Sequence, residues 1–189
     1  VGAGADSNTI GGGGGGEGNT IGSNSGRGVV IDGVGTSNNV VQGNVIGLNS
    51  TRTQARGNGG DGVAIINGPD GVVVSNNVIS ANAGWGVLLR DGNGYRVENN
   101  VIGLRGPANN ANDNSAAGNG AGGVALNSPN NLVGPGNRIA SNNGPGVWIN
   151  GEGADGSRIY GNVIGLSAGN NVRPDANQGV FTEGGADAT

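Results

Sequence analysis

The chain contains no cysteine, histidine, methionine or lysine among its 189 residues. Without cysteine it cannot form disulfides or use thiol chemistry, and without cysteine and histidine it lacks the common zinc sites. Charged residues make up only 12% of the chain, and the net charge of −4 comes with no basic run, which argues against nucleic-acid or anionic-membrane partners. No apolar run approaches the roughly 18 residues that span a bilayer. We therefore expect no nucleic-acid partner, no membrane insertion and no cofactor.

The composition is also poor in helix-forming and aromatic residues. The chain holds 45 glycines and 31 asparagines, two residue types that weaken helices and favour turns, whereas aromatic residues account for 3%. Such a composition is typical of disordered chains. Disorder is excluded here because valine, isoleucine and leucine recur in register. The first residue is Val1, which is typical of a processed chain or a fragment.

Two short patterns recur along the chain. A Gly-Val pair with an aliphatic residue two positions after the valine returns at intervals of 34, 24, 37, 23 and 33 residues, starting at Gly28, Gly62, Gly86, Gly123, Gly146 and, as a partial copy, Gly179. The second pattern, Asn-x-Ile, starts at Asn19, Asn44, Asn77, Asn100, Asn137 and Asn162. Short aliphatic stretches of period two, separated by glycine, asparagine, aspartate or serine, predict strands bounded by turns.

A unit of 23 or 24 residues with three strands and three bends predicts one coil of an all-β fold, the parallel β-helix or β-solenoid. The expected domain is single (1–189), with six to seven coils and with short and long coils alternating in repeats of about sixty residues. Strands this short cannot bury an apolar face alone, so each must stack on its copy in the next coil.

Stacking predicts interior ladders of residues from successive coils. The predicted core ladders are Val29, Val63, Val87, Val124 and Val147, and Ile46, Ile79, Ile102, Ile139 and Ile164. The six asparagines of the Asn-x-Ile pattern are predicted to form a structural ladder as well. Asparagine tolerates the positive φ that a bend between strands requires, and its amide can pass hydrogen bonds from coil to coil.

The phrase GNVIGL explains the alternation of coil lengths. It occurs at 43–48 and 161–166, and as NNVIGL at 99–104. After each copy the chain makes an excursion before the next Gly-Val pair, at 49–61, 105–122 and 167–178. Insertions in repeat proteins lie on one side of the stack, so we expect all three loops at one corner.

The stretch GNVIGLNSTRTQARGNGGDGVAI (43–65) resembles a recurring phrase of bacterial right-handed parallel β-helix repeat proteins, which are secreted or surface proteins with a pectate-lyase-like superfold. The resemblance covers nearly the whole chain. It implies the right-handed fold and a secreted, bacterial-like protein located outside the cell or on its surface. The same fold serves polysaccharide enzymes, phage tailspikes and adhesins, so it does not by itself select a function.

The acidic residues do not form the pairs that polysaccharide hydrolysis needs. Asp32 follows its glycine anchor by four residues, and the matching positions in later coils are Ile66, Arg90, Asn127, Asn150 and Glu183. Two carboxylates about 5 to 9.5 Å apart are therefore not expected, and we predict no catalytic residues. A single GGDG at 59–62 matches part of a calcium-binding repeat, so structural calcium stays a minor alternative to a plain turn at Asp61.

Three surface features offer contacts with partners. Alternation points Trp148 and Phe181 outward, where they could stack on sugars or pack against another subunit. Asn49 begins the only Asn-x-Ser/Thr sequon and is a possible glycosylation site on a loop. Glycans are therefore a possible partner.

The two ends of the chain look like complementary parts of one coil. Incomplete coils are expected at 1–27 and 179–189, and they predict a subunit interface built from Val180, Phe181, Ile10 and Ile21. A head-to-tail contact that does not close gives a filament, so the favoured function is a structural subunit of an extracellular fibre that pairs with copies of itself. The alternatives are a fragment of a longer array, an adhesin or carbohydrate-binding β-helix and, third, a polysaccharide lyase or hydrolase.

Overall fold

The computed structural model describes residues 1–106 and 115–184, and within them the chain winds through six coils of three strands each. The strands, coil by coil, are β1 (Thr9–Gly11), β2 (Thr20–Ile21) and β3 (Val29–Asp32); β4 (Val40–Gln42), β5 (Val45–Ile46) and β6 (Val63–Ile66); β7 (Val73–Ser75), β8 (Val78–Ile79) and β9 (Trp85–Arg90); β10 (Arg96–Glu98), β11 (Val101–Ile102) and β12 (Gly122–Asn127); β13 (Leu132–Val133), β14 (Arg138–Ile139) and β15 (Val147–Asn150); and β16 (Arg158–Ile159), β17 (Val163–Ile164) and β18 (Val180–Glu183). A short 3₁₀ helix, Glu152–Ala154, lies between β15 and β16. No helix among the described residues is long and apolar enough to cross a membrane.

The strands form three parallel sheets of six strands each, in which every strand pairs with the strand three places along the chain. Sheet A is β1-β4-β7-β10-β13-β16, sheet B is β2-β5-β8-β11-β14-β17, and sheet C is β3-β6-β9-β12-β15-β18. The prediction of an all-β, right-handed parallel β-helix is confirmed. The coil count of six lies at the lower end of the expected range.

The core consists of aliphatic columns that run along the solenoid axis. The Gly-Val pattern lies on sheet C, where Val29 pairs with Val63, Val63 with Val87, Val87 with Val124 and Val124 with Val147. The isoleucines of Asn-x-Ile pair in the same way on sheet B. These columns meet in one hydrophobic cluster, in which Ile164 at the C-terminal end is only partly buried. Each strand is too short to bury its face alone, so stability depends on the neighbouring coils.

The asparagines of Asn-x-Ile form a continuous hydrogen-bonded ladder at the corner between sheets A and B. From Asn19 to Asn137, each one donates both its backbone N–H and its Nδ2 to Oδ1 of the asparagine in the next coil, with Nδ2–Oδ1 distances of 2.9 to 3.1 Å. Four of the six are at most 1% exposed. From Asn44 onward, each Nδ2 also donates to a strand carbonyl of the preceding coil, as Asn77 does to Val41 at 2.9 Å. The ladder thus satisfies polar groups that would otherwise be buried without partners.

The expectation of positive φ at these ladder asparagines is wrong. Positive φ falls on the residue before them instead, with values of 72° at Gly43, 56° at Asn76, 57° at Asn99, 83° at Gly136 and 63° at Gly161. The left-handed residue makes the bend, and the following asparagine is free to turn its side chain into the corner. Sequence alone did not separate the two roles because both positions favour asparagine.

The glycine of the Gly-Val pattern is required by close packing. A Cβ on Gly86 would lie 2.6 Å from Cγ2 of Ile102 and 2.7 Å from the carbonyl oxygen of Gly123. The same crowding by an isoleucine Cγ2 occurs at Gly62 and Gly123. A larger residue here would therefore push apart the isoleucine column and the next coil.

The GNVIGL phrase marks the root of each long loop. All three excursions leave sheet B and return to sheet C, which places them at one corner. Part of the second excursion, 107–114, lies outside the described residues. Leu48 and Leu104 are fully buried in a second cluster with Val45, Val78 and Val101 on the outer side of sheet B. Leucine is therefore needed where a loop folds back over the sheet, and the short coils carry serine or alanine there.

We expect the Asn77→Ala variant to lower the free energy of unfolding by about 2 to 4 kcal/mol, because it leaves several buried ladder groups without partners. The measurement is chemical denaturation followed by far-ultraviolet circular dichroism. The matched control is Asn143→Ala, at an exposed asparagine, which should change the free energy by no more than about 0.5 kcal/mol. Equal, small losses in both variants would contradict a stabilising role for the ladder.

Candidate functional site

The last residues of the strands in sheet C form one column, which begins with Asp32. Asp32 pairs with Ile66, Arg90 with Asn127, and Asn150 with Glu183. Oδ1 of Asp32 accepts a hydrogen bond from Nδ2 of Asn67 at 2.8 Å, so its nearest polar partner is an amide. No three acidic side chains of the described residues are grouped so that they could hold a metal ion. This column offers no pair of carboxylates for glycoside hydrolysis.

Asp61 links its own coil to both neighbouring coils and is more than a turn residue. It is 7% exposed. Its Oδ2 accepts from Nε of Arg27, and its Oδ1 accepts from the backbone N–H of Trp85, both at 2.8 Å. Both carboxylate oxygens are therefore engaged by the protein itself. Local sequence could not reveal this, since the partners lie 34 and 24 residues away.

An aromatic platform composed of Trp85 and Trp148 lies on the outer face of sheet C. The two rings are stacked with centroids 5.5 Å apart and planes 10° apart. Trp85 pairs in register with Gly122 and packs over it, since a Cβ on Gly122 would overlap the indole ring. Trp148 lies beside Phe181 in the next coil. The outward position of Trp148 agrees with the sequence pattern. Its partner Trp85 was missed because it lies one residue before the Gly-Val pair at Gly86, whereas Trp148 follows its own pair.

Polar groups border the aromatic platform. Oδ1 of Asn127 and Nε1 of Trp148 are buried and reach no hydrogen-bond partner within the part of the chain that the structure describes. Arg90 is exposed next to Asn127. Each of the two stacked indoles keeps one ring face that the other does not cover. An aromatic ring face near amide and guanidinium groups suits the apolar face and hydroxyl groups of a sugar.

Two cavities lie on the side of the solenoid that carries the loops. One of about 450 Å³ runs over the outer face of sheet B and includes Val78, Val101, Arg52 and Arg138 in its lining. The other, of about 610 Å³, lies beside the oligoglycine segment and is also lined by Arg52. Neither lining includes an aspartate or a glutamate, so neither supplies a general acid or base of the carboxylate type.

The sequon asparagine closes the first long loop. Oδ1 of Asn49 accepts from the backbone N–H groups of Thr53 and Gln54, and its Nδ2 donates to Oγ1 of Thr51 at 2.9 Å. The amide nitrogen that a glycan would modify is therefore part of the loop's own hydrogen bonding.

The predicted interface residues lie on the two end faces of the solenoid. At the N-terminal face, Ile10 of β1 and Ile21 of β2 are partly buried against the core. At the C-terminal face, Val180 of β18 is 45% exposed and Phe181 is half-buried. Each face presents one strand of every sheet, because each of the three sheets contains six strands. The last residues of the predicted C-terminal coil, 185–189, lie outside the described residues.

The expectation that the N-terminal face is open needs a correction at β3. The Val1 ammonium group donates to the carbonyl of Val30, and the N–H of Asp32 donates to the carbonyl of Val1, both at 2.9 Å. These bonds follow the parallel ladder pattern and place Val1 beside Ile31. The first residues thus cover part of the edge of β3, whereas β1 and β2 are the first strands of their sheets.

A second ladder, which the sequence patterns did not reveal, runs along the corner between sheets B and C. It consists of Asn24, Asn58, Asn82, Asn119, Asn142 and Asp175. Each asparagine donates its N–H and Nδ2 to the Oδ1 of the next member. Each member lies four residues before the glycine of a Gly-Val pair, and this constant spacing is the sequence signal that could have revealed the ladder. The sixth coil departs from the pattern by using an aspartate.

Comparison with known proteins gives a family but no individual relative. No curated protein matched the chain, and no solved structure matched it either. A family model described as "Periplasmic copper-binding protein (NosD)" matches residues 47–183, from the end of β5 to the end of β18. That match covers well over half of the 189 residues, and the chain therefore belongs to the NosD family.

Proposed function

We propose that the chain is an exported structural β-helix that stacks head to tail with copies of itself into a filament. Export is inferred from the periplasmic location in the description of the matched family and from the secreted and surface proteins that the repeat resembles. The stacking is inferred from the end faces. In such a filament, β16, β17 and β18 of one copy would pair with β1, β2 and β3 of the next.

The observation that carries this proposal is the polarity of the first asparagine ladder. Every member donates toward the C-terminal end and accepts from the N-terminal side. Asn19 therefore presents its Oδ1 at one face, and Asn162 presents its N–H and Nδ2 at the other. Donors at one end and an acceptor at the other match head to tail, as a heterologous interface requires.

The apolar columns support the same arrangement. Ile159 of sheet A and Ile164 of sheet B end columns that begin with Ile10 and Ile21. Stacking would continue both columns and cover their partly exposed ends. In sheet C, Thr182 would take the place beside Ile31 that Val1 occupies, so the first residues would have to move aside.

Copper binding is not proposed for this chain, because its donor set does not fit copper. Protein copper sites draw on imidazole, thiolate and thioether ligands. The chain has no histidine, cysteine or methionine. Among the described residues the carboxylates do not gather in threes either. Membership in the family therefore supports the fold and an exported location, and no copper chemistry is derived for these residues.

We expect the double variant Thr9→Pro/Thr20→Pro to stay folded but to assemble poorly. Val45 and Gly47 bond to the carbonyls of Asn19 and Ile21, so the N–H of Thr20 points away from β5, and the pattern around Thr9 is the same. Proline removes only these edge donors. The critical concentration for fibres, measured by sedimentation and electron microscopy, should rise about tenfold or more.

The matched control is Thr9→Val/Thr20→Val, which keeps both edge N–H groups. It should form fibres of single-solenoid thickness like the unmodified chain, and both variants should show the same circular dichroism spectrum. Uniform monomers of the unmodified chain at high concentration would refute the filament proposal.

A second candidate function, glycan binding by a surface β-helix, is favoured by one specific observation. The stacked indoles of Trp85 and Trp148 present aromatic ring faces on the outer side of sheet C, in a region that also contains Asn127 and the exposed Arg90. Sugars stack on such surfaces through their apolar faces and use amide groups for hydrogen bonds. This function does not require assembly.

We expect Trp148→Ala to weaken binding of soluble oligosaccharides by about tenfold or more if the platform is a glycan site, because the stacking surface is lost. Glycan-array screening would identify the ligand, and quenching of tryptophan fluorescence would measure its affinity. Trp148→Phe, which keeps an aromatic ring, serves as the control and should retain most of the affinity. An array without hits for the unmodified chain would remove this candidate.

A further inference from the structure

The sixth member of the second ladder is an aspartate in a position that asparagine occupies in five other coils. Oδ1 of Asp175 accepts from the N–H and the Nδ2 of Asn142, both at 2.9 Å, just as an asparagine Oδ1 would. Asp175 is only 6% exposed. Its Oδ2 is buried and reaches no hydrogen-bond partner among residues 1–106 and 115–184.

Oδ2 of Asp175 takes the place of the amide nitrogen of the other coils. A Cβ on Gly146 would lie 2.7 Å from this oxygen, and the equivalent distances to Nδ2 are 2.9 Å at Gly28, 2.8 Å at Gly62, 2.9 Å at Gly86 and 3.2 Å at Gly123. In those coils Nδ2 donates, for example from Asn119 to the carbonyl of Ile79 at 3.1 Å. An ionised Asp175 therefore puts an acceptor where the ladder needs a donor.

The surroundings offer no other acid that could share this proton. The segments packed against Asp175 are the turn from β14 to β15 and the loop after β17, and neither 138–151 nor 156–174 contains an acidic residue. The charged side chains on these segments are Arg138, Arg158 and Arg173, and arginine does not titrate in the acid range. Glu183, at the outer end of β18, is exposed.

We infer that protonation of Asp175 controls the C-terminal end of the second ladder. Only the protonated side chain can continue the hydrogen-bonded ladder into a further copy of the chain. The second half of this inference rests on the proposed head-to-tail filament. In that filament the next member of the ladder is Asn24 of the following copy, which presents its Oδ1. A protonated Oδ2 donates to that oxygen, whereas an ionised one places two acceptors against each other.

Burial supports this role, since desolvation raises the pKa of Asp175 above its ordinary value of 3.8 and the two hydrogen bonds from Asn142 oppose the rise. A raised folded-state pKa means that the folded chain binds the proton more tightly than the unfolded chain. The associated stability is fully present below the unfolded pKa and is lost as the pH rises through the folded one. Low pH should therefore favour the folded chain with a protonated Asp175, and it should also favour head-to-tail stacking of the chains.

The test compares the unmodified chain with Asp175→Asn, which supplies the amide at every pH. The control is Asp155→Asn, which makes the same change of charge at an exposed aspartate. The first readout is the thermal midpoint between about pH 4 and pH 7, for which Asp175→Asn should exceed the unmodified chain by several degrees at neutral pH and by little near pH 4. The Asp155→Asn control should show no such dependence.

The second readout is the critical concentration for assembly. It should fall about tenfold or more for the unmodified chain from pH 7 to pH 4, and it should be low at both pH values for Asp175→Asn. A difference in midpoint that is constant with pH would overturn the inference, and so would pH-independent assembly of the unmodified chain. If no variant assembles at any pH, the filament proposal fails, and the midpoints alone decide whether Asp175 holds its proton.

Discussion

The structure depends on satisfying buried polar groups along the axis of the solenoid. Each coil turns three corners, and a corner buries backbone N–H and C=O groups that the short strands cannot pair. Two corners solve this with amide ladders, in which one side chain accepts from the coil on one side and donates to the coil on the other. The third corner begins in the same way at Asn8 and Asn39 but then contains Val72 and Tyr95. There the Tyr95 hydroxyl donates to the carbonyl of Pro69 at 2.7 Å, and burial raises the pKa of this phenol.

The fold was predictable because the same physical requirement recurs in every coil. The Gly-Val and Asn-x-Ile patterns mark positions where only a small residue fits or where one amide must bridge two coils, so they appear at a fixed place relative to each strand. The loop-bearing corner was predictable for the same reason, since GNVIGL supplies a leucine wherever a loop packs over sheet B.

Other features of the candidate sites were not predictable because they depend on partners distant in sequence. Asp61 looks like a turn residue until Arg27 and Trp85 are seen on either side of it. Asp175 lies four residues before Gly179, the same spacing that the ladder asparagines have from their glycines, but only the structure shows that it accepts hydrogen bonds from Asn142. The position of positive φ was missed for a different reason. Two adjacent residues in the same bend both favour asparagine, and only the backbone shows which of them has the left-handed conformation.

The three long loops share one corner and occur in every second coil. With about 4.8 Å between coils, their roots stand roughly 10 Å apart in a straight row. The framework therefore holds the roots of three loops at a fixed spacing along one edge. Contacts that are individually weak would then add up through effective concentration on any extended surface with a matching period. Changes of loop length or sequence that stop short of Asn58, Asn119 and Asp175 would leave both amide ladders intact, so the outer parts of the loops can diversify while the framework stays constant.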